Sequence, residues 1–227
     1  MAITTDPHDE GRVVEAVAGH HETREQRHFK ERMVVWLFIS GDAVFLLMEL
    51  FYWFYLRALN TNGMWRGADC SKANPCADGL GNPITHEIAK STPWYTASIA
   101  ILMVIAAALI WGMERAAQRQ SKRSALSSGA GAGLVVLLAA IVVQCYQFSV
   151  LPFTTVDGTY ASTFEFFMGS TLAHLFLLTF IVTGLWTRAR RGRYDGGHWY
   201  QVRIIRMFTV WCATATSILA LVMIFFA

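Results

Sequence analysis

The chain has 227 residues, 54% of them hydrophobic and 15% charged, with a mean hydropathy of +0.37. Soluble domains average about 25% charged residues, so this composition argues against a water-facing globule. A net charge of +3 is too small to indicate a nucleic-acid partner, and four cysteines in a chain of this length exclude a disulfide scaffold.

Residues 1–32 are polar throughout, with seven acids, five bases and the histidines His8, His20, His21 and His28. The histidine spacing fits no standard metal site, so the segment reads as a solvated cytoplasmic tail and no metal ligands are expected anywhere in the chain. It contains no apolar core of the kind a cleavable signal peptide needs, which leaves the first apolar run as an uncleaved anchor. Residues 33–227 then form one bundle. Five apolar runs, Met33–Leu56, Trp94–Met113, Gly131–Leu151, Ala161–Trp186 and Ile204–Phe226, each approach the roughly 20 residues a helix needs to cross about 30 Å of hydrocarbon. Their continuity excludes barrel strands, so the predicted fold is an all-α bundle of five transmembrane helices.

Of the 19 Lys and Arg residues, 14 fall in the tail and in the second and fourth loops. By the positive-inside rule the N-terminus is then cytoplasmic and the C-terminus periplasmic, in a multi-pass protein of a bacterial inner membrane. The long loop 57–93 faces the oxidising side, where Cys70 and Cys76, separated by a turn-forming insert, are expected to form a structural disulfide. Cys145 and Cys212 read as small buried apolar residues inside helices.

Three carboxylates fall within the predicted spans: Asp42 and Glu49 in the first, and Glu165 near the outer end of the fourth. An acid at a helix centre costs about 2.5–3.5 kcal/mol on insertion scales, so each needs a partner, a proton or a wet cavity. Asp42 and Glu49 lie two turns apart on one stripe, continued by Tyr52 and Trp53. The stripe is either a proton-handling or lipid-headgroup site or an interhelical hydrogen-bond seam. His174 is the one histidine within these spans. A lone histidine cannot assemble a haem or copper centre, which argues against a catalytic redox role for this chain. Gly129 and Gly133 form a GxxxG that favours close helix approach, and Gln144 and Gln147 read as interhelical glue.

The segment PFTTVDGTYASTF, residues 152–164, resembles the lead into a late helix of haem-copper oxidase subunit III, where a PFT–DG–Y–STF pattern recurs. In the helix that follows, Gly169 and His174 fall on the glycine and second histidine of a GFHGLHV-like run, and Thr171 replaces the first histidine. The first span, WLFISGDAVFLLMELFYWFYLR, is similar to the family's helix with an intramembrane glutamate, with Asp42 at that position. In the last span the family usually reads WHFVD, whereas residues 211–215 here are Trp, Cys, Ala, Thr and Ala. Glu49 and Glu165 are acids that the family pattern does not contain.

The resemblance spans residues 33–227 and implies the short, five-helix form of subunit III of a cytochrome c oxidase. Such a subunit carries no cofactor of its own, packs beside the haem- and copper-bearing subunit I and subunit II, binds phospholipid, and supports proton uptake and stability. On this reading Asp42, Glu49, Glu165 and His174 are proton-uptake or lipid-contact candidates. A related accessory subunit of a nitric oxide reductase or quinol oxidase is an alternative favoured by the departures. A small proton-coupled carrier is another, although no internal repeat or broken helix supports it.

Overall fold

A computed structural model describes residues 24–59, 65, 76–77, 83–84, 88–120, 123–194 and 200–227. Cys70, and with it the disulfide expected with Cys76, lies outside them, as does the tail through residue 23. Within them are five long helices: α1 (Arg24–Ala58), α2 (Pro93–Gln120), α3 (Arg123–Ser149), α4 (Thr159–Arg190) and α5 (Tyr200–Phe225). All five are long and apolar enough to cross a membrane, so the chain is a multi-pass membrane protein. In the long loop the two-residue strands β1 (Cys76–Ala77) and β2 (Pro83–Ile84) pair antiparallel.

Most helices run beyond their apolar runs, and the extensions are polar: Arg24 to Arg32 precedes the first run and Thr187 to Arg190 follows the fourth. Hydropathy marks the part of a helix that must be apolar, whereas backbone hydrogen bonding continues into the interface, where basic side chains reach the headgroups.

Helices α2 and α3 are the most extensively packed pair; α3 also packs on α4, and α2 on α5. Helix α1 lies outside this group and rests on α5 and α4. It runs parallel to α5. At one end the Tyr200 ring stacks on His28, with centroids 4.1 Å apart, and its hydroxyl donates to the His28 carbonyl; at the other, the Arg57 guanidinium lies 5.8 Å from the centre of the Phe226 ring. The basic ends of α2 and α5 also meet. Glu114, 1% exposed, takes Arg206 at 2.9 Å and Arg203 at 3.7 Å, and Gln118 donates to it at 3.1 Å.

The α2–α3 contact is close because α3 presents glycine. A Cβ on Gly129 would stand 2.4 Å from the Met113 Cβ, closer than two carbons can approach, and one on Gly133 would lie 3.4 Å from Ile110. Gln147 ties the other end of the pair, donating to Thr96 at 2.9 Å. The Gln144 amide nitrogen, also buried, has no partner among the described residues. Cys212 is buried as expected, but Cys145 is exposed on the outer face of α3, because its position turns away from both neighbouring helices.

Gly129→Ala should therefore force α2 and α3 apart and lower the stability of the purified chain by about 1–3 kcal/mol. Gly169→Ala, where an added Cβ meets nothing within 4 Å, should be tolerated. Thermal unfolding of the two variants in the same detergent checks the difference; equal midpoints would contradict the close approach.

Candidate functional site

Helix α1 is mostly exposed around its circumference. Its buried residues are Ile39, Leu46, Glu49 and Trp53, and Asp42 is nearly so. These positions alternate steps of three and four, the spacing that keeps one seam of a helix against its neighbours. Asp42 and Glu49 are therefore part of the seam by which α1 docks.

Opposite Asp42 the structure places His174 of α4 and Trp211 of α5. His174 Nε2 lies 3.0 Å from Asp42 Oδ1 and 3.1 Å from Oδ2, and the side chains are 13% and 14% exposed. Trp211 Nε1–H donates to Asp42 Oδ2 at 2.6 Å. The second ring nitrogen, His174 Nδ1, is 2.9 Å from the Ser170 carbonyl. A carbonyl only accepts, so Nδ1 carries the hydrogen. One further proton must then lie between Nε2 and the carboxylate, on either partner. As an imidazolium–carboxylate pair or as a neutral imidazole–carboxylic acid pair, the contact has zero net charge and holds one transferable proton. Neutrality makes the seam compatible with hydrocarbon, since an unpaired ion is the costly species.

One turn further along α4, the Ser170 hydroxyl stands beside Glu49, and Asp42 and His174 are near enough to act on it electrostatically. Glu49 is 2% exposed, and its Oε1 has no hydrogen-bond partner among the described residues. The stripe beyond it divides. Trp53 is fully buried in ring contact with Trp65, Tyr160 and Phe167, whereas Tyr52 is 43% exposed. On the Tyr52 side, α1 and α4 leave an apolar cleft of about 660 Å³ between them, with Glu49 among its lining residues.

The structure thus brings Asp42, Glu49 and His174 together and separates Glu165 from them. The Glu165 carboxylate accepts a hydrogen bond from the Thr155 hydroxyl at the start of α4, a local contact that ties helix to loop. The segment around it is likewise structural. Asp157 Oδ2 accepts from the Thr154 backbone N–H at 2.5 Å and from its hydroxyl at 3.0 Å. Gly158 has φ 152°, which a residue with a Cβ rarely adopts. Phe153, Tyr160 and Phe164 pack ring against ring.

Two participants escaped the sequence reading. Trp211 carries no charge to mark it in the sequence, and nothing local connects it to Asp42, 169 positions away. Glu114 lay just past the end of the second apolar run. Its signal was Arg206, a base inside the last span that needed an acid. Among the described residues no group of three or more His, Cys, Asp or Glu is arranged to hold a metal. No family model and no curated protein sequence matches the chain.

The Asp42–His174 contact should be worth about 1–2 kcal/mol of coupling, at the upper end for polar contacts between membrane helices. A double-mutant cycle of Asp42→Asn and His174→Leu, read by unfolding in detergent, measures it. Coupling below about 0.5 kcal/mol would mean that packing alone seats α1 here.

Proposed function

We propose that this chain is a non-catalytic accessory subunit III of a haem-copper respiratory oxidase in a bacterial inner membrane. The observation that carries the reading is the sequence likeness: the ungapped segment 152–164, followed by Gly169 and His174, together with Asp42 at the position of the family's intramembrane acid. The geometry adds a physical role. Asp42 and His174, the two matched polar residues, face each other across α1 and α4 and hold one proton between them. In an oxidase the redox work falls to haem and copper in subunit I and copper in subunit II. This chain would support proton uptake and the stability of the assembly.

Thr171 and the 211–215 stretch favour a second reading, an accessory subunit of a nitric oxide reductase or quinol oxidase. Affinity purification of the native complex separates an oxidase from a nitric oxide reductase. Haem with copper in co-purifying subunits is the outcome expected, haem with non-haem iron would move the assignment to nitric oxide reductase, and a chain that purifies alone would overturn both.

Within an oxidase, Asp42→Asn should assemble, because the amide still accepts from Trp211 and is less costly to bury than a charge. It removes the shared proton, so turnover per haem should fall most towards pH 9, where protons are scarcest. Measuring haem content and oxygen consumption separately from pH 6 to 9 checks this. Normal turnover at every pH with reduced haem content would assign Asp42 to packing alone.

A further inference from the structure

At the basic end of the bundle three guanidinium groups gather around one carboxylate. Glu114 takes Arg206 at 2.9 Å and Arg203 at 3.7 Å. The Trp111 ring serves two of the three cations, with the Arg206 guanidinium 5.6 Å and the Arg115 guanidinium 4.9 Å from its centre. Among the described residues no other acid lies within ion-pair distance of these arginines, so two positive charges remain without a counter-charge. Like charges held this close repel one another, and the Arg206 side chain, 25% exposed, is incompletely screened by water.

From Arg206 a groove of about 360 Å³ runs along α5, lined by Arg206, Val210 and Thr214 with Trp36 of α1 on one side and Trp111 of α2 on the other. The three α5 residues are four apart, so the groove follows one stripe of that helix over eight residues, about 12 Å. Its charge sits at one end only. At the other end the Thr214 hydroxyl already donates to the Val210 carbonyl at 2.9 Å.

We propose that this groove binds an anionic phospholipid, its phosphodiester at Arg115 and Arg206 and one acyl chain along α5. Charge complementarity selects the occupant. A phosphodiester supplies the missing negative charge, and its paired oxygens suit the guanidinium fork. A zwitterionic head would bring a further cation among the arginines. Depth agrees, because Trp36, Trp111 and the arginines are the residue types that mark the headgroup level of a membrane helix. Order agrees as well: cationic at one end and apolar beyond it, the groove repeats the sequence of head and chain in a lipid, whereas a free phosphate would leave its apolar length uncovered. None of these residues is among the lipid-contact candidates of the sequence, and the inference holds with or without the oxidase reading.

The test uses the full chain in phosphatidylcholine nanodiscs doped with a phosphatidylglycerol that carries a photoreactive diazirine on one acyl chain. Saturable labelling is expected on the peptides containing Trp36, Trp111 and Val210–Thr214. Unlabelled phosphatidylglycerol should displace the probe, and neither added phosphatidylcholine nor inorganic phosphate should do so. Arg115→Gln should weaken half-saturation about fivefold, the effect of one base near an anionic lipid. Thr214→Trp, at an exposed position of α5, should fill the groove and abolish labelling of that helix. Arg57→Gln, at the opposite end of α1, should leave half-saturation unchanged. Circular dichroism checks that the variants keep their helices. Three results would overturn the proposal: phosphatidylcholine displacing the probe as effectively as phosphatidylglycerol, inorganic phosphate displacing it alone, or labelling and half-saturation unchanged in both folded groove variants.

Discussion

Midway along its span α1 is held by one polar contact, the Asp42 carboxyl placed between His174 of α4 and Trp211 of α5. In lipid an exposed leucine gains little by leaving its surroundings, so helices associate through close packing and through polar groups that have nowhere else to bond. Helix α1 presents few buried apolar residues for packing. At Asp42 it offers a carboxyl group, and each of the two helices it rests on bonds to it, α4 through His174 Nε2 and α5 through the Trp211 N–H. The contact fixes rotation as well as position, because turning α1 by one residue, about 100°, would carry Asp42 out into the acyl chains. With that rotation set, Glu49 and Trp53 follow on the same seam.

At the loop end the fold solves a different problem, how a chain leaves α3 and re-enters the membrane as α4. Asp157 satisfies the Thr154 N–H, Gly158 supplies the backbone angle that starts α4, and Trp65, Tyr160 and Phe164 close an aromatic cap over Trp53. The Trp65 carbonyl accepts from the Tyr160 N–H at 3.1 Å, which pins the long loop to α4. These residues have local geometric duties, and none of them takes part in the proton-sharing pair that lies deeper in α4.

The two ends of the bundle handle charge in opposite ways. At the basic end Glu114 is surrounded by two arginines, with Arg206 and Arg115 also lying over the Trp111 ring, so a buried acid is overcompensated and the surplus positive charge faces the interface. Midway along α1 there is no surplus: Asp42 and His174 neutralise each other. Towards the loop end Glu49 is left with an unsatisfied oxygen beside a cleft. The three acids thus sit in three different electrostatic settings along the bundle.

Five spanning helices, their order and the outlying acids Asp42 and Glu49 were legible in the sequence, because hydrocarbon imposes a length and an apolarity that a single chain displays residue by residue. So was the close approach at Gly129, since only small residues allow it. Helix ends were not legible, because hydrogen bonding carries the backbone past the apolar boundary. Neither was the chemistry of the site. Asp42 looked like an acid without a base while its partners stood 132 and 169 positions away on helices whose facing sides no local pattern reveals. Glu165 looked equivalent to Asp42 until the loop before α4 supplied Thr155. Composition and periodicity report what each helix must do to survive in lipid; which polar groups meet is decided only when the rotations of α1, α4 and α5 are fixed against one another.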